Sequence, residues 1–269
     1  MTDLAVFVAA AALVGALGLI IGSFLNVLIY RVPLGRSIVR PGSACPACEA
    51  PISARDNIPI LSWLVLRGRC RACSVPISAR YPLVEGANAA LWVALLTWAR
   101  QPAGINSLLP LLLVLASAGL ALALIDLDHH RLPDVIVLPL YPITVAGLAF
   151  AGVVGGQWPL ASTLAGAAIW LAVIGGMWLI SAGRGMGFGD VKLAPVLGAT
   201  LGWAGLSCAV VGILAAFGLG AVIGLGLLVS GRAGRGSHLA FGPFLLAGSA
   251  VGLAAGPFLA DWYLPAVGG

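Results

Sequence analysis

Charged residues are scarce in this chain of 269 residues: they make up 9% of it, against 61% hydrophobic residues. A water-soluble domain does not cover its surface with so few charges, so the composition excludes a soluble globular protein. Only residues 31–82 form a polar segment, and no stretch of low complexity or second soluble domain follows. The scarcity of charge therefore predicts a protein that lies in the lipid bilayer.

Aromatic residues are few as well, at 7%, and none forms a stacking platform among the arginines. Because nucleic-acid surfaces combine basic with aromatic side chains, the net charge of +5 does not indicate a nucleic-acid partner. The first apolar run also lacks a clear small-residue cleavage site. We therefore interpret it as a retained span and not as a removed signal peptide.

Apolar runs of bilayer length recur along the chain, and each long one matches the roughly 20 residues that a transmembrane helix needs. The eight runs, one of them short, are Leu4–Tyr30, Leu83–Ala99, Leu108–Asp126, Val135–Val154, Leu160–Ser181, Val191–Trp203, Leu206–Ser230 and Leu239–Ala260. We predict an all-α polytopic membrane protein with about eight transmembrane helices. Its parts would be a first helix (1–30), a polar domain (31–82) and a seven-helix membrane core (83–269).

Positive charge indicates the orientation of these spans. Eight of the 14 lysines and arginines lie between the first two spans, and five more, Arg232 and Arg235 among them, occupy alternate later loops. Arg100 falls on the opposite side. Since positive loops stay in the cytoplasm, residues 31–82 are predicted to be cytoplasmic and both termini external.

Four cysteines of the polar domain form two CxxC pairs, Cys45–Cys48 and Cys70–Cys73, and the residues PISAR follow each pair in the same register. Two equal knuckles would present four thiolates to a structural Zn²⁺, which would stabilise a domain too small for a large core. The alternatives are two disulfides or redox-active pairs. A cytoplasmic location disfavours stable disulfides, and no βαβ pattern surrounds the motifs. Cys208, alone in an apolar span, is interpreted as a packing residue.

The first acidic segment runs from Asp126 to Asp134 at the end of the third span. Asp126 and Asp128 point to roughly opposite sides of a helix, because a helix advances about 100° per residue. Asp126 follows apolar residues and is the favoured functional residue, with Asp128 as the alternative. Pro133 should break the chain, and Asp134 is placed to cap the next helix.

The second acidic segment reads Gly187-Phe-Gly-Asp190 and begins the sixth span. The glycines around it disfavour a helix and leave room for a substrate backbone, and Pro195 should interrupt the helix that follows. One alternative is a cytoplasmic loop in which Asp190 only caps that helix. A phosphate-binding role is weaker, because no βαβ unit is present.

Asp126 and Asp190 are predicted to lie at the same membrane depth, where carboxylates are costly and therefore indicate function. Two carboxylates about 3 Å apart share one proton, so one can activate water while the other polarises a carbonyl. The pair thus predicts an aspartic peptidase. A transporter also places ionisable residues at broken helices, but commonly contains repeated sets of spans, which are not visible here. A zinc-stapled scaffold would leave both aspartates unexplained.

The motifs taken in order resemble those of the type IV prepilin peptidases. The resemblance covers Gly22–Pro33, both CxxC pairs, Arg80–Glu85, Asp126–Asp134 and Gly187–Lys192. It implies a membrane aspartic endopeptidase of the bacterial inner membrane with Asp126 and Asp190 as the catalytic pair. Its substrates would be prepilins and type II secretion pseudopilins, cleaved after a glycine on the cytoplasmic side.

The same resemblance implies that the enzyme methylates the new N-terminus with S-adenosylmethionine. In the corresponding methylation region this chain has Gly68-Arg69, where the family commonly has Gly-Lys.

A basic leader would also need carboxylates near the cytoplasmic mouth. Glu85 and Asp134 are the candidates for binding it.

Overall fold

α-Helices form almost all of the regular structure in the computed structural model, which describes residues 2–100, 105–231 and 240–267. Within these residues no β-strand is found, and two short 3-10 helices occur at Ala54–Asn57 and Ile105–Leu108. The helices are α1 (Thr2–Arg31), α2 (Leu61–Val65), α3 (Arg80–Trp98), α4 (Leu109–His129), α5 (Asp134–Gly155), α6 (Leu160–Ile180), α7 (Phe188–Ala204), α8 (Leu206–Val229) and α9 (Gly242–Val267). The predicted all-α class is confirmed.

A helix lies at each of the eight predicted spans. Six of the described helices (α1, α4, α5, α6, α8 and α9) are long and apolar enough to cross a membrane. The remaining two predicted spans correspond to α3 and α7, and α7 is only 17 residues long. The predicted start of the last span at Leu239 and the loop charges Arg232 and Arg235 lie outside the described residues.

Helix α7 differs from its prediction at Pro195. We expected this proline to interrupt the helix, but α7 continues through it to Ala204. A proline inside a helix costs about 3 kcal/mol. The helix contacts α5, α6, α8 and α9, and half of its residues are buried, so burial outweighs the lost hydrogen bond.

Two compact units make up the chain, residues 1–121 and 122–269, and the boundary falls inside α4. In the first unit, α1 packs closely on α3 because its glycines leave room for the α3 backbone. A Cβ at Gly18 would lie 2.8 Å from Ala89 Cα, and one at Gly22 would lie 2.7 Å from Glu85 Cα. Small residues permit this approach between apolar helices, where backbone contact replaces side-chain interdigitation.

The second unit contains two tightly packed helix pairs, α6 with α7 and α8 with α9. Glycines again set the spacing: a Cβ at Gly198 would lie 2.7 Å from Trp170 Cβ, and one at Gly248 would lie 2.6 Å from the Ala216 nitrogen. The Trp170 indole also donates a hydrogen bond of 2.9 Å to the Ala209 carbonyl, which joins α6 to α8. This scaffold positions the start of α7 and the start of α9.

Candidate active site and metal centre

The two CxxC segments fold into equal knuckles. Antiparallel bridges join Ala44 to Pro51 and Arg69 to Pro76, at the same positions relative to the cysteines. The amides of Cys45 and Cys70 donate to the carbonyls of Ala50 and Val75 at 3.0 and 2.9 Å. The two segments in which PISAR follows the cysteines at the same spacing therefore have the same backbone bridges and hydrogen bonds.

The four cysteine thiols of these knuckles converge, and the structure contains no disulfide between them. All four sulfurs lie within 4.8 Å of one another, and Sγ of Cys45 and Sγ of Cys73 are 3.9 Å apart. In a tetrahedral zinc–thiolate site, with Zn–S near 2.3 Å, neighbouring sulfurs are separated by about 3.8 Å. The cluster can hold a metal ion, and its donor set fits Zn²⁺.

Backbone amides already favour a thiolate in this cluster. Hydrogen bonds from the Ala47 and Cys48 amides lower the pKa of Cys45 to about 7. Close by, Arg71 donates from Nε and Nη2 to the Asp56 carboxylate and lowers the pKa of that carboxyl group. The domain thus combines a metal-ligand set with an ion pair on its surface.

The proposed methylation residues lie in the second knuckle. Gly68 has φ of +65°, and a Cβ there would lie 2.9 Å from the Trp63 ring. Its carbonyl accepts a hydrogen bond from the Ile77 amide at 2.7 Å. These contacts give Gly68 a clear role in shaping the knuckle, while the cofactor-binding role of Gly68 and Arg69 stays a prediction.

Asp126 is 5% exposed near the end of α4, whereas Asp128 is exposed. The Oδ2 oxygen of Asp126 accepts a hydrogen bond of 2.9 Å from the Gly242 amide at the start of α9. Gly242 was not a candidate in the sequence, although a Phe-Gly-Pro triplet at the head of an apolar run could have drawn attention to it. Burial and this contact distinguish Asp126 from Asp128, and the functional role of Asp126 stays a prediction.

Asp190 is 4% exposed in the first turn of α7. Its Oδ2 accepts a hydrogen bond of 3.1 Å from the Gly187 amide. Through this one oxygen Asp190 binds the N-cap residue of α7, as the helix-capping alternative predicts. The other oxygen, Oδ1, is buried and finds no hydrogen-bond partner in the described part of the chain. The carboxyl groups of Asp190 and Asp126 are close enough to interact electrostatically.

The glycine of the Gly-Asp step has a packing function. A Cβ at Gly189 would lie 2.7 Å from Leu132 Cβ, so only glycine lets α7 begin against the turn that follows α4. We had expected the space to serve a substrate backbone, but a neighbouring segment of the same chain fills it. Leu132 also lies 3.3 Å from where a Cβ of Gly242 would be, so it contacts both aspartate-holding segments.

The two candidate leader-binding carboxylates have partners within the protein. Asp134 does not occupy the cap position of α5: it is the first residue of the helix, and Pro133 precedes it as the N-cap. Instead, both its oxygens lie 2.7 Å from Lys192 Nζ. Glu85 is 7% exposed and accepts a hydrogen bond of 2.7 Å from the Ile60 amide. Leader binding by either residue stays a prediction.

An all-α, multi-pass protein with two interacting buried carboxylates has the architecture of a membrane aspartic peptidase. Comparison with known proteins narrows this class. A profile of the bacterial peptidase A24 N-terminal domain matches residues 16–99, and a profile of the type IV leader peptidase family matches residues 113–229. No solved structure matches the chain.

Several relatives match over most of their length. The prepilin leader peptidase/N-methyltransferase of Aeromonas salmonicida (strain A449) is 36% identical over 284 residues, which cover 95% of this chain and 94% of that protein. The protein of the same name from Aeromonas hydrophila is 38% identical, with 94% and 93% covered. The one from Myxococcus xanthus is 44% identical, with 81% and 63% covered. The chain belongs to the type IV leader peptidase family and is a peptidase.

Proposed function

We propose that this chain removes the short basic leader of type IV prepilins and type II secretion pseudopilins after a glycine. Its curated relatives are named prepilin leader peptidases, and the multi-pass helical fold suits a substrate whose mature part begins with an apolar helix. The transporter alternative gains no support from the relatives named above, which carry the peptidase name.

The observation that carries the proposal is the state of the two aspartates. Each is almost fully buried, and each has its Oδ2 bound to the amide of a glycine at the start of a helix. This leaves Oδ1 of Asp190 buried and without a partner in the described structure. A buried polar atom without a partner is costly, so a site that keeps one is a candidate for chemistry.

The proposed mechanism uses one proton shared by the two carboxyl groups. The ionised carboxylate takes a proton from a water molecule, whose oxygen attacks the carbonyl carbon of the leader's last glycine. The protonated carboxyl group donates a hydrogen bond to the carbonyl oxygen. When the tetrahedral intermediate collapses, the carbon–nitrogen bond breaks and the leaving nitrogen takes a proton. The products are a leader with a free carboxylate and a pilin with a free amine.

We assign zinc a structural role in this enzyme. Four thiolates fill the coordination sphere of Zn²⁺ and leave no open position for a substrate. Cys45, Cys48, Cys70 and Cys73 would therefore close the polar domain and take no part in peptide cleavage.

Methylation of the new amine is the second proposed activity. S-adenosylmethionine would supply the methyl group, as the name N-methyltransferase of the relatives suggests. The described contacts of Gly68, with the Trp63 ring and the Ile77 amide, shape the knuckle. The proposal of methylation depends on the relatives.

We further propose that residues 31–82 and the aspartates face the cytoplasm of a bacterium, with the helices in its inner membrane. The concentration of arginines between α1 and α3 supports this orientation. The division into a first helix, a cysteine domain and a seven-helix peptidase core (83–269) is part of the same proposal.

A cleavage assay with purified protein in detergent tests the peptidase. We expect wild-type protein and Asp128→Asn to remove the leader of a prepilin, and Asp126→Asn and Asp190→Asn to lose at least about 1,000-fold in rate, because each removes one half of the acid–base pair. Mass spectrometry reads the shortened pilin and, with S-adenosylmethionine added, a methyl group on its N-terminus. Cleavage at the wild-type rate by Asp126→Asn or by Asp190→Asn would refute the assignment of the catalytic pair.

A further inference from the structure

The first turn of α9 brings a backbone amide to Asp126. Helix starts leave their first amides without partners inside the helix. In α9 the Phe244 amide bonds to the Phe241 carbonyl at 3.0 Å, and Pro243 has no N–H to donate. The Gly242 amide is therefore the one directed outward in this turn, and Asp126 Oδ2 accepts its hydrogen bond.

Residue 242 has no room for a side chain. A Cβ there would lie 2.9 Å from Asp126 Oδ2 and 3.3 Å from Leu132 Cδ2. The first distance is too short for a carbon and a carboxylate oxygen that are not bonded to each other. The buried carboxylate would have to move, so glycine at this position fixes where Asp126 lies.

Aromatic rings hold this turn against α8. The Phe241 ring packs on Phe217 of α8, with ring centroids 5.3 Å apart, and on Phe244, at 5.9 Å. A Cβ at Gly220 of α8 would lie 3.1 Å from the Phe241 ring, so α8 leaves a shallow seat for it. Because Phe241 precedes Gly242 directly, this seat also fixes the direction of the Gly242 amide.

We infer that the Phe241-Gly242 turn is a positioning element of the peptidase site, which holds the Asp126 carboxylate by its Oδ2 and leaves Oδ1 for the reacting water. The inference rests on the proposed role of Asp126. The turn acts on Asp126 as Gly187 acts on Asp190, but its amide comes from a position 116 residues away along the chain. Docking of α9 on α8 is therefore a condition for an active pair.

Gly242→Ala tests the inference, assayed with a prepilin and purified full-length protein. Displacing a reacting group by about 1 Å costs on the order of 100-fold in rate, so we expect kcat to fall about 10- to 100-fold while KM stays within about twofold. Phe217→Leu, which loosens the seat without touching either aspartate, should lower kcat in the same direction by a smaller factor. If Gly242→Ala does not fold, Phe217→Leu alone decides.

One glycine serves as a matched control. Gly226 of α8 has nothing within 4 Å of a new Cβ, so Gly226→Ala should keep the wild-type kcat. Wild-type kcat in folded Gly242→Ala, or in folded Phe217→Leu when that variant decides, would overturn the inference. Failure of wild-type protein to cleave, or full cleavage by Asp126→Asn, would instead overturn the proposed function.

Discussion

The cysteine knuckles and the aspartate pair solve the same problem at different ranges along the chain. Both hold an acidic side chain with backbone amides. In the knuckles the Ala47 and Cys48 amides bind Cys45 from two and three residues away. At the aspartates, Gly242 binds Asp126 from 116 residues away. The knuckle contacts are local, as is the contact of Asp190 with the Gly187 amide three residues away, whereas the contact of Asp126 with Gly242 requires that α9 packs beside the end of α4.

The largest difference between the two regions should appear on metal removal. The binding of structural zinc contributes on the order of 10 kcal/mol to folding in small zinc domains. Cys45→Ser should lose the metal and expose the amides of residues 43–78 to hydrogen exchange, while α5–α9 keep their protection. Metal analysis and exchange mass spectrometry measure both effects.

The control for this experiment is Cys208→Ala, which removes the cysteine that lies outside the cluster and is fully buried in α8. It should keep one zinc per chain. Unchanged exchange in the zinc-free Cys45→Ser protein would show that the knuckles do not depend on a metal. Loss of protection throughout α5–α9 would show that the two regions fold as one.

A second, intermediate effect should follow from filling the space at Gly189. Adding a methyl group to a packed contact costs about 1–3 kcal/mol, and here the contact is Leu132 Cβ. Gly189→Ala should lower the melting temperature and reduce cleavage at least about tenfold because it moves Asp190, with zinc content unchanged.

A compensating change makes this prediction specific. Leu132→Ala in the Gly189→Ala background removes the atoms that the new methyl group meets and should restore part of the cleavage rate. Gly176→Ala on α6, where a new Cβ meets nothing within 4 Å, should behave as wild type. A double variant as inactive as Gly189→Ala would show that the Leu132 contact is not the cause.

The smallest effect should come from the Asp134–Lys192 ion pair, whose side chains are 53% and 28% exposed. Exposed ion pairs contribute about 0.2–1 kcal/mol, so a double-mutant cycle with Asp134→Asn and Lys192→Met should give a coupling free energy in that range. The same Asp134→Asn protein tests leader recognition. If Asp134 binds the leader's positive charge, cleavage of a lysine-rich leader should fall more than that of a neutral one. An equal fall would contradict this role.

Sequence patterns sufficed where the interaction was local. Apolar runs of bilayer length predicted the helices, because each helix satisfies its own backbone hydrogen bonds and needs only apolar side chains in lipid. The repeated CxxC-PISAR segments predicted a metal cluster, because each knuckle closes within a few residues. Asp126 and Asp190 emerged as candidates because a carboxylate beside an apolar run is rare.

Packing decided what these patterns leave open. Pro195 stays inside α7, Asp134 pairs with Lys192 and does not cap α5, and Gly189 makes room for Leu132 and not for a substrate. Gly242 is a partner of Asp126 because the tertiary fold brings the start of α9 beside the end of α4. The physical reason is the separation along the chain: helix formation and the knuckle turns depend on neighbours in sequence, while the placement of Asp126 depends on the backbone that the tertiary fold brings beside it.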